Sequence, residues 1–177
     1  MSGQRVLSEM ITRYGWKKGV ELGVANGATL FFLLGKHSDL ELDGVDSYEV
    51  SPGKGNKHTT GFVQYDKSQQ VALSLRVAIR IADDFSDRSH LFVMSTTLAA
   101  EEFESDTLDF VFIDPDHRES FVRADIAAWV SKLKKYGYLV GHDWKFPSVH
   151  KALDAMIPGW KSQESIWYIS KEKVCFS

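Results

Sequence analysis

The chain has 177 residues, 44% hydrophobic and 25% charged, with a net charge of −3 and a pI of about 6.1. That is enough chain for a single domain, residues 1–177, with a real core, and the charge balance gives no bulk attraction to a nucleic-acid backbone. The one cysteine, Cys175, excludes an internal disulfide framework and a CxxC zinc site and fits a reducing cytoplasm. The opening stretch MSGQRVLSEMITRYGWKKG reads as neither a signal peptide nor a membrane span, and no later run reaches the ~18 apolar residues a span needs.

In chain order, Val6, Leu7, Met10, Ile11 and Tyr14 recur at helical spacing before Gly15, which predicts a short amphipathic helix over 4–14. Gly19 to Leu22 reads as a buried strand, followed by the turn Gly23-Val24-Ala25-Asn26-Gly27 and a helix over Thr29 to Lys36. Glycine in such a turn tolerates positive φ and lets a ligand come close to the backbone, so Gly23 is expected where backbone and ligand nearly touch. Glu41 to Asp46 is a second strand, and Asp46 stands 23 positions after Gly23. In doubly wound folds a carboxylate about 20 residues beyond the glycine turn accepts hydrogen bonds from ribose.

Ser51 to Gly61, rich in glycine and lysine without periodicity, reads as a mobile loop and candidate substrate lid. Val71, Leu75, Ala78, Ile79 and Ala82 form a stripe that predicts a helix over about 66–83 with this face in the core. His90 to Ser95 and Leu108 to Asp114 read as apolar strands covered on both faces. Phe121, Ile126, Trp129, Val130 and Leu133 predict a helix closed by Gly137, ahead of a strand over Tyr138 to Val140. A helix over Ser148 to Met156 and a strand over Ile166 to Ile169 complete an alternating pattern. The fold class is therefore α/β: a Rossmann-like, doubly wound, mostly parallel sheet flanked by helices.

In such a sheet ligands gather outside the carboxyl ends of the strands. Those ends deliver Gly23 to Gly27, Asp46 with Ser47, Ser95 to Thr97, Asp114 to His117, and His142 to Trp144. Turn chemistry also favours Asp, Ser and Asn there, but a polar group at every end points to one shared ligand site.

VELGVANG, GVDSY and DFVFIDPDHRESFVRADIAAWVSKLKKYGYLVGHDW together resemble the class I S-adenosylmethionine-dependent methyltransferases. The likeness is greatest to a small group with an IDxDH-type motif after the fourth strand and GHDW or GHDY after the fifth, and it runs from Val20 to Trp144. The resemblance implies that Glu21, Gly23, Asn26 and Gly27 surround the methionine part of the cofactor, that Asp46, with Ser47 beside it, binds the ribose, and that Ser95 and Thr96 lie near the adenine. It also implies O-methylation of a small hydroxylated acceptor. Asp114, Asp143 and His142 occupy positions where metal-using relatives keep their ligands, so Mg²⁺ or Mn²⁺ is expected there, with His142 or Asp116 assisting. The family's catechol-type pattern has an acidic residue followed by an amide at the fifth strand, whereas this chain has His142-Asp143. A metal-free route with His142 or His117 as general base therefore stands beside the metal route.

Two other classes stay open at this level. An NAD-type oxidoreductase shares the glycine turn and Asp46 but has Glu21 in place of the first glycine of GxGxxG. A non-catalytic cofactor-binding module would keep the fold without turnover. The expected partners are a small hydroxylated molecule and, as an option, a second copy of the chain, with neither nucleic acid nor membrane.

Overall fold

The computed structural model describes residues 3–49 and 66–174. The candidate lid at 51–61 lies outside the described residues. Among the described residues seven strands form one sheet: β1 (Lys18–Leu22), β2 (Glu41–Val45), β3 (Leu91–Phe92), β4 (Leu108–Ile113), β5 (Leu133–Gly141), β6 (Lys161–Gln163) and β7 (Ile166–Ser170). Their order is β3-β2-β1-β4-β5-β7-β6, with β1 to β5 parallel and β7 antiparallel to both its neighbours. Among the described residues six helices flank it: α1 (Gly3–Tyr14), α2 (Ala28–Lys36), α3 (Lys67–Asp84), α4 (Thr96–Ala99), α5 (Glu119–Trp129) and α6 (Pro147–Met156). This is the Rossmann-like doubly wound architecture that the alternating pattern predicts.

The strand period of two divides the core into two layers. Val20, Leu22, Val111, Ile113 and Leu139 pack with α4, α5 and α6, whereas Phe110, Phe112 and Val140 pack with α1, α2 and α3. Each layer buries several large side chains completely, and each such burial is worth about 1.5–3 kcal/mol. Strand order reverses between β1 and β4, which run in register with Leu22 beside Ile113. Gly23 and Asp114, the next residues of each strand, therefore stand together at the switch point where open α/β sheets bind ligands. None of the described helices is long and apolar enough to cross a membrane.

Three elements differ from expectation. The face of α3 in the core is Leu73, Val77 and Ile81, while Val71, Leu75 and Ile79 are 50%, 57% and 58% exposed. Both triplets repeat every four residues, so periodicity alone selects neither; contact with the sheet does. The capping box of Asp66 and Gln69 fixes where the helix begins.

The second difference is at β5, which begins at Leu133 and runs through Gly137. The α5 helix ends at Trp129, and Phe121 is 44% exposed. The pairing of β5 with β4 shifts register between Leu108 and Phe110, and a Cβ on Gly137 would lie 2.9 Å from the Leu108 carbonyl oxygen. Gly137 thus serves the close approach of a bulge rather than a helix end.

The third is β3, reduced to Leu91–Phe92 at the sheet edge, both half-buried, with Val93 55% exposed. Among the described residues it pairs on one side only, with β2, and its half-buried residues do not show the full burial that its apolar run suggests.

Candidate active site

All five parallel strands point their carboxyl ends at one edge. There the glycine turn is tied by Gly27 N–H donating to the Val24 carbonyl (2.8 Å) and Ala28 N–H donating to Asn26 Oδ1 (3.1 Å). Asp46 braces it from the next strand, accepting from Ala25 N–H (2.8 Å) and Tyr48 N–H (2.7 Å). The buried Tyr48 closes the brace, its hydroxyl donating to the Ala25 carbonyl (3.0 Å). Nothing in the sequence around Tyr48 singles it out for this task. Asp46 is only half-buried, and each of its oxygens keeps a second lone pair for a ligand hydroxyl. Ser47 accepts from Glu49 N–H (3.3 Å).

Gly23 has φ +91°, and a Cβ on it would lie 2.6 Å from the Asp114 carbonyl oxygen and from Pro115 Cα. Whatever a ligand requires of it, this glycine is already demanded by the neighbouring strand end. Gly23 N–H donates to Val45 O (2.8 Å) and Asp114 N–H donates to Leu22 O (2.9 Å), which holds the ends of β1, β2 and β4 together.

Behind the turn, Glu21 is 3% exposed and its Oε2 has no hydrogen-bond partner among the described residues. Burial pushes its pKa well up, and the charges of Asp114 and Asp46 push the same way. A carboxyl so placed is a strong acceptor for a cationic or N–H-bearing ligand group.

Ser95 caps α4, accepting from Leu98 N–H (3.4 Å). Thr96 is fixed twice: its hydroxyl donates to Asp125, and its carbonyl accepts from Trp129 Nε1 (2.9 Å). Asp125, on α5, is an almost fully buried acid whose other oxygen has no partner among the described residues, and burial lifts its pKa to about 6. In the sequence it looks like an ordinary helical aspartate.

Asp114, His117 and Asp143 form the chemical centre. One donor atom from each lies within 4.8 Å of the others. Burial raises the Asp114 pKa to about 7; the Asp143 charge adds to this while His142 and His117 oppose it. His117 Nε2 lies 2.6 Å from Asp143 Oδ2, and His142 Nδ1 lies 3.0 Å from Asp143 Oδ1. Burial alone would raise the Asp143 pKa, but these two hydrogen bonds outweigh it and hold the carboxyl well below its usual range. The same bonds to Asp143 raise both imidazoles, against the opposing effect of burial. Asp143 has φ +58°, a conformation that costs an L-residue about 1–2 kcal/mol and clusters at functional sites.

His142 does not join the three converging donors. Its ring lies against the start of α1, where a Cβ on Gly3 would fall 2.9 Å from His142 Nε2. His117, whose alternative reading is a helix cap, leaves that place to Arg118 and turns to Asp143. Asp116 accepts from Arg118 N–H (2.8 Å) and from its guanidinium, completing the turn outside the cluster. A cavity of about 10 Å³ lies behind the cluster, lined by Asp114, His117, His142 and Trp167 among others. Two carboxylate oxygens and one imidazole nitrogen make a chemically sensible donor set for a divalent metal, and the imidazole favours a transition metal.

Compared with known proteins, residues 20–144 match a family model described as a methyltransferase domain. The chain belongs to this methyltransferase-domain family. No curated protein matches the methyltransferase by sequence. Among solved structures it is similar to a proposed caffeoyl-CoA O-methyltransferase from Staphylococcus aureus, with TM-score 0.64 and 12% identity over 94% of this chain and 81% of that one. The O-methyltransferase NovP gives TM-score 0.63 and 16% identity, covering 94% and 77%. Spermidine synthase from Thermotoga maritima gives 0.60 and 15%, covering 96% and 60%. At these identities the likeness is one of fold. The family assignment displaces the oxidoreductase reading.

Proposed function

We propose that this methyltransferase takes its methyl group from S-adenosylmethionine and transfers it to the oxygen of a small hydroxylated acceptor, with a divalent metal held by Asp114, His117 and Asp143. The observation that carries the reading is the convergence of those three donors at the switch-point edge, next to the glycine turn. Glu21, Gly23, Asn26 and Gly27 would cradle the methionine part, Asp46 and Ser47 the ribose, and Ser95 and Thr96 the adenine. When bound, the metal lowers the pKa of the acceptor hydroxyl. Asp143 holds both imidazoles in fixed orientation, and His142, outside the donor set, would be the group to take the hydroxyl proton. The freed oxygen then attacks the sulfonium methyl, the carbon–sulfur bond breaks, and its electron pair leaves with S-adenosylhomocysteine.

A metal-free route, with His117 or His142 as the unaided base, is the second reading. It is favoured by the hydrogen bond of each imidazole to Asp143, an arrangement that orients and strengthens a general base. Calorimetry with S-adenosylmethionine and NAD, then methyl transfer to phenolic and sugar hydroxyls after chelation, separates the readings. Activity lost in EDTA and restored by Mn²⁺ supports the metal, full activity in EDTA supports the unaided histidine, and absence of S-adenosylmethionine binding overturns both.

A further inference from the structure

Trp167 carries a polar group that the chemistry described above does not use. It stands in β7 directly across from Gly141 of β5, and it is fully buried. A Cβ on Gly141 would collide with the indole, 2.5 Å from Nε1, so it is the bare glycine that lets the ring lie across the strand end leading into His142 and Asp143. Among the described residues the Nε1–H has no hydrogen-bond partner. A buried indole N–H ordinarily finds one, because an unmade bond leaves the full cost of taking that donor out of water. Trp129, Trp144 and Trp160 follow the rule, each donating to a carbonyl or carboxylate oxygen.

The space that the Trp167 ring borders is the cavity of about 10 Å³ behind the cluster of Asp114, His117 and Asp143. That is room for one water molecule and for nothing larger. Besides the indole, the polar groups of its wall are Asp114, Asp116, His117 and His142, and the rest of the wall is apolar. Asp116 is taken up by the Arg118 guanidinium, and both imidazoles are bonded to Asp143. The Asp114 carboxylate, by contrast, accepts no hydrogen bond among the described residues. Its two oxygens offer about four lone-pair directions, so it can serve a metal with one oxygen and accept from a water with the other.

We propose that the cavity binds one water molecule, which accepts from Trp167 Nε1–H and donates to the Asp114 carboxylate, and that Trp167 is in this way a positioning residue for the donor set. The bridge stands on the cavity and the unpartnered indole; the consequence for metal binding rests on the metal reading of the proposed function. Carboxylates that ligate a metal are themselves held by outer hydrogen bonds, and loss of such a partner typically costs about 10–100-fold in metal affinity.

The test removes the N–H and nothing else. Trp167→Phe deletes it but also empties part of the core, so the decisive chain carries 3-benzothienylalanine at position 167, which keeps the bicyclic shape and has sulfur where the N–H was. Crystals of the metal-free wild type should show a water within about 2.7–3.2 Å of Trp167 Nε1 and of an Asp114 oxygen, and crystals of the benzothienyl chain should not. Mn²⁺ affinity, read by electron paramagnetic resonance of the free ion, should fall roughly 10-fold in the benzothienyl chain while its circular dichroism stays that of the wild type. A dry cavity, a water bonded to Nε1 but not to Asp114, or equal Mn²⁺ affinity in the two chains overturns the proposal. So does Mn²⁺ density inside the cavity of soaked crystals, which would make that space the ion's own. A wild type that takes up no Mn²⁺ is a different result: it overturns the metal reading and the positioning role together, while the metal-free crystals still decide the water bridge.

Discussion

Replacing Gly23 by alanine tests how the switch point is built. The new Cβ would stand 2.6 Å from two backbone atoms of Asp114 and Pro115, and neither is the end of a flexible side chain that could swing aside. The φ of +91° adds a conformational penalty of about 1–2 kcal/mol for an L-residue. Overpacking against a fixed backbone typically costs a further 1–3 kcal/mol or so. The sum, about 2–5 kcal/mol, should lower the midpoint of urea unfolding at constant slope and, for a chain of this size, reduce Tm by roughly 4–20 °C. Gly35 supplies the control: it lies in α2 with nothing within 4 Å of an added Cβ, so Gly35→Ala should stabilise by about 0.5–1 kcal/mol. Both variants are measured by urea titration without ligand. A loss below about 1 kcal/mol at Gly23 would refute the reasoning, since the Asp114-Pro115 segment would then have given way freely. If unfolding is unchanged but S-adenosylmethionine no longer binds, the glycine is required by the ligand and not by the fold.

Three further outcomes are expected. Asp46→Ala removes the acceptor for Ala25 and Tyr48 N–H and should weaken S-adenosylmethionine binding by about 1.5–3 kcal/mol in calorimetry; an unchanged affinity would separate the brace from the ligand. His117→Ala should lower Mn²⁺ affinity at least ~10-fold, judged against the 10–100-fold typical of outer-shell changes, while His142→Ala changes it less, as read by electron paramagnetic resonance of free Mn²⁺; the reverse order would put His142 in the donor set. Asp125 titrates near about 6 in the folded chain against about 3.9 unfolded, so the native state binds the proton more tightly. Its contribution therefore improves as pH falls from 7 to 4, by on the order of 2 kcal/mol, and Asp125→Asn should flatten that part of the wild-type stability profile; identical profiles would show that Asp125 titrates normally.

Much of this architecture is legible along the chain because its causes are local. Alternation of apolar strands with amphipathic helices sets the fold class, and the polar residues after β1, β2, β4 and β5 mark the ligand edge before any contact is known. The motifs around Gly23, Asp114 and Asp143 also carry the family resemblance, and the family match covers the same residues, 20–144.

What only the tertiary structure decided depends on neighbours far away in sequence. Apolar repeats in α3 have the same period on two faces, and only packing on the sheet chose Leu73, Val77 and Ile81 for the core. Gly137 carries the same local signal whether it ends a helix or fits a bulge; the carbonyl of Leu108, 29 positions earlier (137 − 108), decides it. On paper His142 is the expected ligand, and His117 is only a candidate base or helix cap. The assembled strand ends bring one donor atom each of Asp114, His117 and Asp143 within 4.8 Å of one another, while the His142 ring packs against Gly3. Periodicity and spacing record which side chains share a face of one element, but convergence of donors from separate strands is a property of the assembled sheet.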